Sequence, residues 1–219
     1  MDRRRLSRVA GMSAAKADIL ARVRAALGAA PAVPEVPRAY RAAGAAPESD
    51  HVARFCERVA DYRAEVRRAA AGELEAAVGD LCAAHGARRL AVAAGAPIRP
   101  GLLDLVDDDP PLSPQALDAL DGVITGCALA IADTGTIVLD GGERSGRRAL
   151  TLVPDYHVCV VEAAQVVPSV PDAVAALAQA GREGRPITLV SGPSATSDIE
   201  LERVEGVHGP RTLHVVVVG

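Results

Sequence analysis

LTLVPDYHVCVVEAAQVVPSVPDAVAALAQAGREGRPITLVSG, residues 150–192, reads as strand, helix, strand. Its first run, LTLVPDYHVCVVE (150–162), holds one or two β-branched strands interrupted at Pro154. VPDAVAALAQAG (170–181) is a helix with Pro171 near its start, and RPITLVSG (185–192) is a second strand. Two strands joined through a helix are the unit of a parallel sheet, because a parallel crossover needs a connection of that length.

The alternation extends outward on both sides. ELEAAVGDLCAAHG (73–86) is a helix ending at Gly86, RRLAVAAG (88–95) a strand, SPQALDAL (113–120) a short helix with Ser113 as N-cap and Pro114 at N1. DGVIT (121–125) is a strand, GCALAIADTG (126–135) a helix leading to a loop, TIVLD (136–140) a strand, and TLHVVVVG (212–219) the last strand. The fold class expected is α/β, a mostly parallel sheet flanked by helices.

Upstream, SAAKADILARVRAALG (13–28) is a helix capped by Ser13, with Ile19, Leu20, Val23 and Leu27 on one face and Gly28 as its stop. AAPAVPEVPRAYRAAGAAPE (29–48) carries Pro31, Pro34, Pro37 and Pro47 and reads as a linker or extended arm. SDHVARFCERVADYRAEVRRA (49–69) resumes a helical period through Val52, Phe55, Val59, Tyr62 and Val66, with Ser49 or Asp50 as cap. That places Arg63, Arg67 and Arg68 on or near one face, as a solvated face or a phosphate contact. The division expected is an N-terminal helix and Pro-rich linker, 1–48, before one domain, 49–219.

Composition bounds the function. The 219 residues are 49% hydrophobic but only 2% aromatic, so the core is built from Ala, Val, Leu and Ile. Few aromatics and a net charge of −4 argue against a nucleic-acid partner. Cys56, Cys82, Cys127 and Cys159 lack C-x-x-C spacing and read as reduced, buried thiols, so no metal site is expected. The basic N-terminus lacks an apolar h-region, and no apolar run nears the ~20 residues of a membrane helix. A cytoplasmic protein without membrane insertion is the expectation.

Four segments carry candidate chemistry. In IADTGTIVLD (131–140), Asp133, Thr134 and Thr136 offer a carboxylate and two hydroxyls, and Gly135 allows close backbone approach to a ligand; an ordinary self-satisfied turn is the alternative. In GGERSGRRA (141–149), Arg144, Arg147 and Arg148 form a clamp for a carboxylate or phosphate, or a solvated hairpin tip. His157, at the head of the following strand, reads as structural or as a base.

SGPSATSDIE (191–200) is neither a Walker A loop nor a nucleophile elbow. Ser197 and Glu200 have capping-box spacing, and Ser191, Gly192, Ser194 and Thr196 lie before a helix start, as an anion cradle or as a self-capping helix. In GVHGP (206–210), His208 stands between glycines as a proton-transfer candidate. All four segments lie at strand ends, where a parallel sheet gathers its ligand loops.

ADTGTIVLD, RRALTLVPDYHVCVV, SGPSATSDIE and GVHGPRTLHVVVVG, in this order, resemble the LUD (lactate-utilisation) domain family, most closely its protein C branch. The similarity runs from GVITGCALAIADTGT to the C-terminus. It implies a fold like the sugar-phosphate isomerase and CoA transferase-like group, and a part in oxidation of L-lactate to pyruvate beside iron–sulfur partner proteins. No cofactor is expected on this chain, and the electron-carrying centres fall to those partners.

The residues the resemblance carries over are Asp133, Thr134, Gly135 and Thr136, then Ser191, Gly192, Pro193, Ser194, Thr196, Asp198 and Glu200, then His208 and Gly209. Many relatives have Glu at the position of Asp133 and Arg at that of Ala195, which shortens one reach and removes one anion contact. The expected site therefore binds a small anion, with Asp133 and His208 as catalytic candidates and Arg147 or Arg148 on the carboxylate. An independent enzyme on a phosphorylated, CoA-linked or folate-like substrate, or a non-catalytic interaction module, are the alternatives.

Overall fold

A computed structural model describes residues 3–28, 35–43, 50–98, 101, 103–193 and 208–219. It divides into two compact units, Met1–Tyr40 and Arg41–Gly219. The domain boundary expected after residue 48 falls outside the described residues.

The first unit is helix α1 (Arg3–Leu27) followed by an extended segment. The helix starts ten residues before Ser13, so that serine lies inside it and not at its N-terminus. The preceding RRRLSRVAGM run contains no proline, and arginine and leucine are good helix formers. Gly28 follows at φ 72°, the left-handed stop expected of it. Ile19, Val23 and Leu27 are exposed.

The second unit begins with α2 (His51–Asp61), capped by Asp50, whose side chain accepts from Ala53 N at 2.9 Å. Here the expected long helix is wrong. The chain turns at Tyr62 and Arg63, the latter at φ 64°, and continues as strand β1 (Glu65–Ala69). No Gly or Pro announces the change. Pairing with the valine run near the C-terminus overrides the local helical period. Arg63, Arg67 and Arg68 therefore share no helix face.

Helix α3 (Leu74–His85) ends at Gly86, φ 79°, and leads into β2 (Arg89–Val92) and β3 (Asp104–Asp107). Helix α4 (Pro114–Asp118) is capped by Ser113, which accepts from Ala116 N at 3.1 Å. Strand β4 (Gly122–Thr125) follows. The GCALAIADTG run is then not a helix. It contains strand β5 (Leu129–Ile131), a tight turn, and the lead into β6 (Thr136–Leu139). An apolar run this short carries no period that separates the two states. What decides is that both faces of the β5–β6 hairpin are buried.

A 3-10 turn (Arg148–Thr151) occupies the segment before Pro154, and β7 (Tyr156–Glu162) follows it. After β8 (Val166–Val167), the expected single helix is two short ones, α5 (Val170–Ala176) and α6 (Ala178–Arg182), meeting at Leu177. Strands β9 (Thr188–Val190) and β10 (Thr212–Val218) complete the unit.

Six strands form one parallel sheet in the order β1-β10-β7-β4-β2-β3. The central YHVCVVE and TLHVVVV strands are buried on both faces, as their continuous β-branched runs require. The other four make a smaller mixed sheet, β8-β5-β6-β9, so RPITLV joins this second sheet, antiparallel to β6.

Helix α3 packs Val78 and Leu81 on one face of the large sheet, against Leu90, Ile124 and Val158. On the opposite face, Phe55 and Val59 of α2 meet Val215, Val217 and the small sheet's Ile137. Each such fully buried side chain contributes ~1.5–3 kcal/mol relative to exposure. Helix α5 covers the outer face of the small sheet through Ala173. Among the described residues, no helix is long and apolar enough to cross a membrane.

Candidate functional site

The small sheet brings two of the singled-out loops together. Because β6 runs antiparallel to β9 with Ile137 opposite Val190, the residues just outside that pair are Thr136 and Ser191. Their hydroxyls lie 2.8 Å apart, and Thr136 Oγ1 is also 2.8 Å from Thr134 Oγ1. The result is a continuous line of three hydroxyls along one wall.

Gly135 and Gly192 make this wall possible by close packing. Gly135 sits at φ +60°, and a Cβ there would lie 2.7 Å from the carbonyl carbon of Arg58 in α2. Gly192 sits at φ +81°, and its Cβ would lie 2.5 Å from Tyr62 Cβ. At Gly135 the close backbone approach is therefore to α2.

Ser191 and Gly192 border a cavity of about 440 Å³, whose other walls include Tyr62, Arg148, His157 and His208. His157 and Leu213 are the second residues of β7 and β10, so the cavity lies at the amino-terminal ends of these strands. The apolar part of the lining comes from Leu189, Val190, Pro193, Pro210 and Leu213.

Arg148 is the cation of this cavity. Its Nη1 donates to Thr151 O at 2.8 Å and Thr151 Oγ1 at 3.0 Å, and its Nη2 donates to His208 O at 2.7 Å. No carboxylate among the described residues pairs with it. Burial pushes its pKa down, which measures how poorly the surroundings solvate the charge. Beside it, His157 is buried, with Nε2 2.8 Å from Thr125 Oγ1. Burial, aided by the Arg148 charge, pushes the His157 pKa down to about 4, so its imidazole is neutral at pH 7. Among the described lining residues Arg148 is thus the one guanidinium, and none is a carboxylate. That arrangement favours an anion.

The other predicted residues are placed differently. Asp133 does not line the cavity. It is held by Arg41 and Arg54, each at 2.9 Å. Arg147 does not line it either. Its Nε and Nη2 grip Asp108 at 2.6 and 2.8 Å, and Nη2 also donates to Leu112 O at 2.6 Å. That fork holds the Asp108 carboxyl below the usual range. Arg144 pairs with Glu162 at 2.7 Å. Ser194, Thr196, Asp198 and Glu200 lie outside the described residues. Tyr62, Thr125 and Thr151 take part without having been singled out, and only their position in the fold marks them.

The carboxyl-terminal edge of the large sheet has its own hollow, lined by Asp107, Asp108, Asp109 and Glu143. These carboxylates oppose an anion, so the edge where parallel sheets ordinarily bind ligands is here the less suitable one. Among the described residues no cluster of three or more His, Cys, Asp or Glu side chains is placed to hold a metal. All four cysteines are free; Cys82, Cys127 and Cys159 are buried and Cys56 is half-buried.

Comparison with known proteins shows what this chain is similar to. The family model for the LUD domain matches residues 112–218, which include the hydroxyl wall, Arg148, His157 and His208. Lactate utilization protein C of Deinococcus radiodurans is 53% identical over 168 residues, covering 75% of this chain and 78% of that protein. Lactate utilization protein C of Geobacillus kaustophilus is 32% identical over 117 residues, covering 50% of this chain and 48% of that protein. The crystal structure of a DUF162 family protein from Deinococcus radiodurans superposes with a TM-score of 0.69 at 45% identity. It covers 79% of this chain and 100% of that one.

Proposed function

The chain belongs to the LUD-domain family, and we propose that it works in lactate utilisation, taking part in oxidation of L-lactate to pyruvate beside iron–sulfur partner proteins. The names of its relatives support the process. The chemistry of the cavity supports a place in it for an organic acid. Lactate and pyruvate are both carboxylates, and the cavity presents one guanidinium without a carboxylate partner among the described residues. That observation carries the reading.

In this reading Arg148 takes the carboxylate and Ser191 borders the cavity, its hydroxyl held by Thr136 and, through it, by Thr134. His208 is the proton-transfer candidate, since it borders the cavity while Asp133 is neutralised outside it. Oxidation of lactate releases two electrons and two protons; the electrons pass to the iron–sulfur partners. Removing the gene from its host and supplying it again as wild type or Arg148→Gln tests the reading. Growth on L-lactate is expected to fail without the gene, to return with the wild type, and to stay impaired with the variant. Undiminished growth of the deletion strain, with no iron–sulfur protein co-purifying with the tagged chain, contradicts it.

A further inference from the structure

The cavity is larger than lactate needs. Lactate and pyruvate have six non-hydrogen atoms each, and even at ~30 Å³ per atom, the liquid share of a water molecule, they fill ~180 Å³. The space is about 440 Å³. Its walls are also of two kinds. Arg148, His157, His208 and Ser191 are polar, whereas Leu189, Val190, Pro193, Pro210 and Leu213 offer apolar contact.

The charge arrangement fits a carboxylate head. Arg148 has five N–H donors, and Thr151 O, Thr151 Oγ1 and His208 O take three of them. One on Nε and one on Nη2 remain among the described residues, enough for the two oxygens of one carboxylate. The guanidinium carries one positive charge and its neighbour His157 is neutral, which suits a monoanion better than a phosphate dianion.

We propose that the ligand is a 2-hydroxy or 2-oxo acid with an apolar side chain longer than the methyl group of lactate, its carboxylate on Arg148 and its side chain along Leu189, Pro210 and Leu213. This deepens, and rests on, the reading that the cavity is the chain's organic-acid site. Wild-type full-length chain is titrated calorimetrically with pyruvate, 2-oxobutyrate, 2-oxopentanoate, 2-oxohexanoate and inorganic phosphate. Affinity is expected to rise about fourfold with each added methylene, equivalent to ~0.8 kcal/mol per group.

Two variants separate the head from the body. Arg148→Gln is expected to weaken the four acids by a similar factor, so the slope per methylene persists. Leu189→Ser, which adds no charge, is expected to reduce the gain per methylene; Leu189 is 62% exposed, so the fold tolerates the change. Circular dichroism verifies that both variants are folded. Equal affinity for all four acids, or tighter binding of pyruvate than of 2-oxohexanoate, overturns the longer-chain assignment and leaves the lactate-site reading standing. Phosphate binding tighter than any of the acids overturns the carboxylate assignment. Binding of the acids that Arg148→Gln leaves unchanged removes both readings.

Discussion

Arg147 and Arg148 are chain neighbours with different partners. Arg147 is a structural clamp on Asp108, and Arg148 is a cation without a carboxylate partner among the described residues. The two substitutions should separate cleanly. Arg147→Gln is expected to lower unfolding free energy by ~1–3 kcal/mol, because a charge-assisted fork is lost and Asp108 is left without it. Carboxylate affinity should hardly change. Arg148→Gln is expected to weaken carboxylate binding at least tenfold with a smaller stability loss. Urea unfolding and calorimetry on the same two variants measure both quantities.

His157 makes a pH prediction at the same scale. Its folded pKa, about 4, lies below the ordinary 6.5, so the native state binds fewer protons than the unfolded one between these values. Its contribution is fully present above pH 6.5 and is lost as pH falls toward 4, by ~3 kcal/mol in total at ~1.4 kcal/mol per pH unit. Burial lowers the His214 pKa as well, which adds in the same direction. Unfolding free energy measured between pH 7 and pH 4 should therefore fall more steeply in the wild type than in His157→Asn.

At the scale of elements, the antiparallel β6–β9 pairing is what joins Thr136 to Ser191, and Gly135 is what lets the β5–β6 hairpin seat on α2. Gly135→Ala meets both a left-handed backbone and a 2.7 Å contact with Arg58. It is expected to cost ~1–3 kcal/mol in thermal or urea unfolding.

Strongly patterned elements were legible in the chain. The Ser113 cap with Pro114, the Gly86 stop and the valine-rich central strands each follow from local chemistry. In the small sheet TIVLD and RPITLV were legible as strands, but LAI was not, being too short to carry a period, nor was their pairing in a sheet of their own. The turn at Tyr62–Arg63 was hidden for a similar reason: β1 exists through its pairing with β10. In the site, residue types pointed to the hydroxyls and to His208. They could not distinguish Arg147 from Arg148, since the distinction comes from Asp108 lying within reach of one alone. Nor could they mark Tyr62, Thr125 or Thr151, which gain significance only when β7, β10 and α2 are assembled.

For the whole molecule, the hollows at the two ends of the parallel sheet's strands described above have opposite character. The carboxyl edge is walled by acids, and the cavity at the amino ends of β7 and β10 holds a cation beside a neutral imidazole. On the proposed reading, an organic acid of lactate utilisation binds in the second. A crystal structure of the full chain soaked with 2-oxohexanoate tests this most directly. A carboxylate is expected ~2.7–2.9 Å from Arg148 Nε or Nη2, with the alkyl chain against Leu189 and Leu213. A ligand seated instead among Asp107, Asp108 and Glu143, or an Arg148 with no contact to the bound acid, would contradict it.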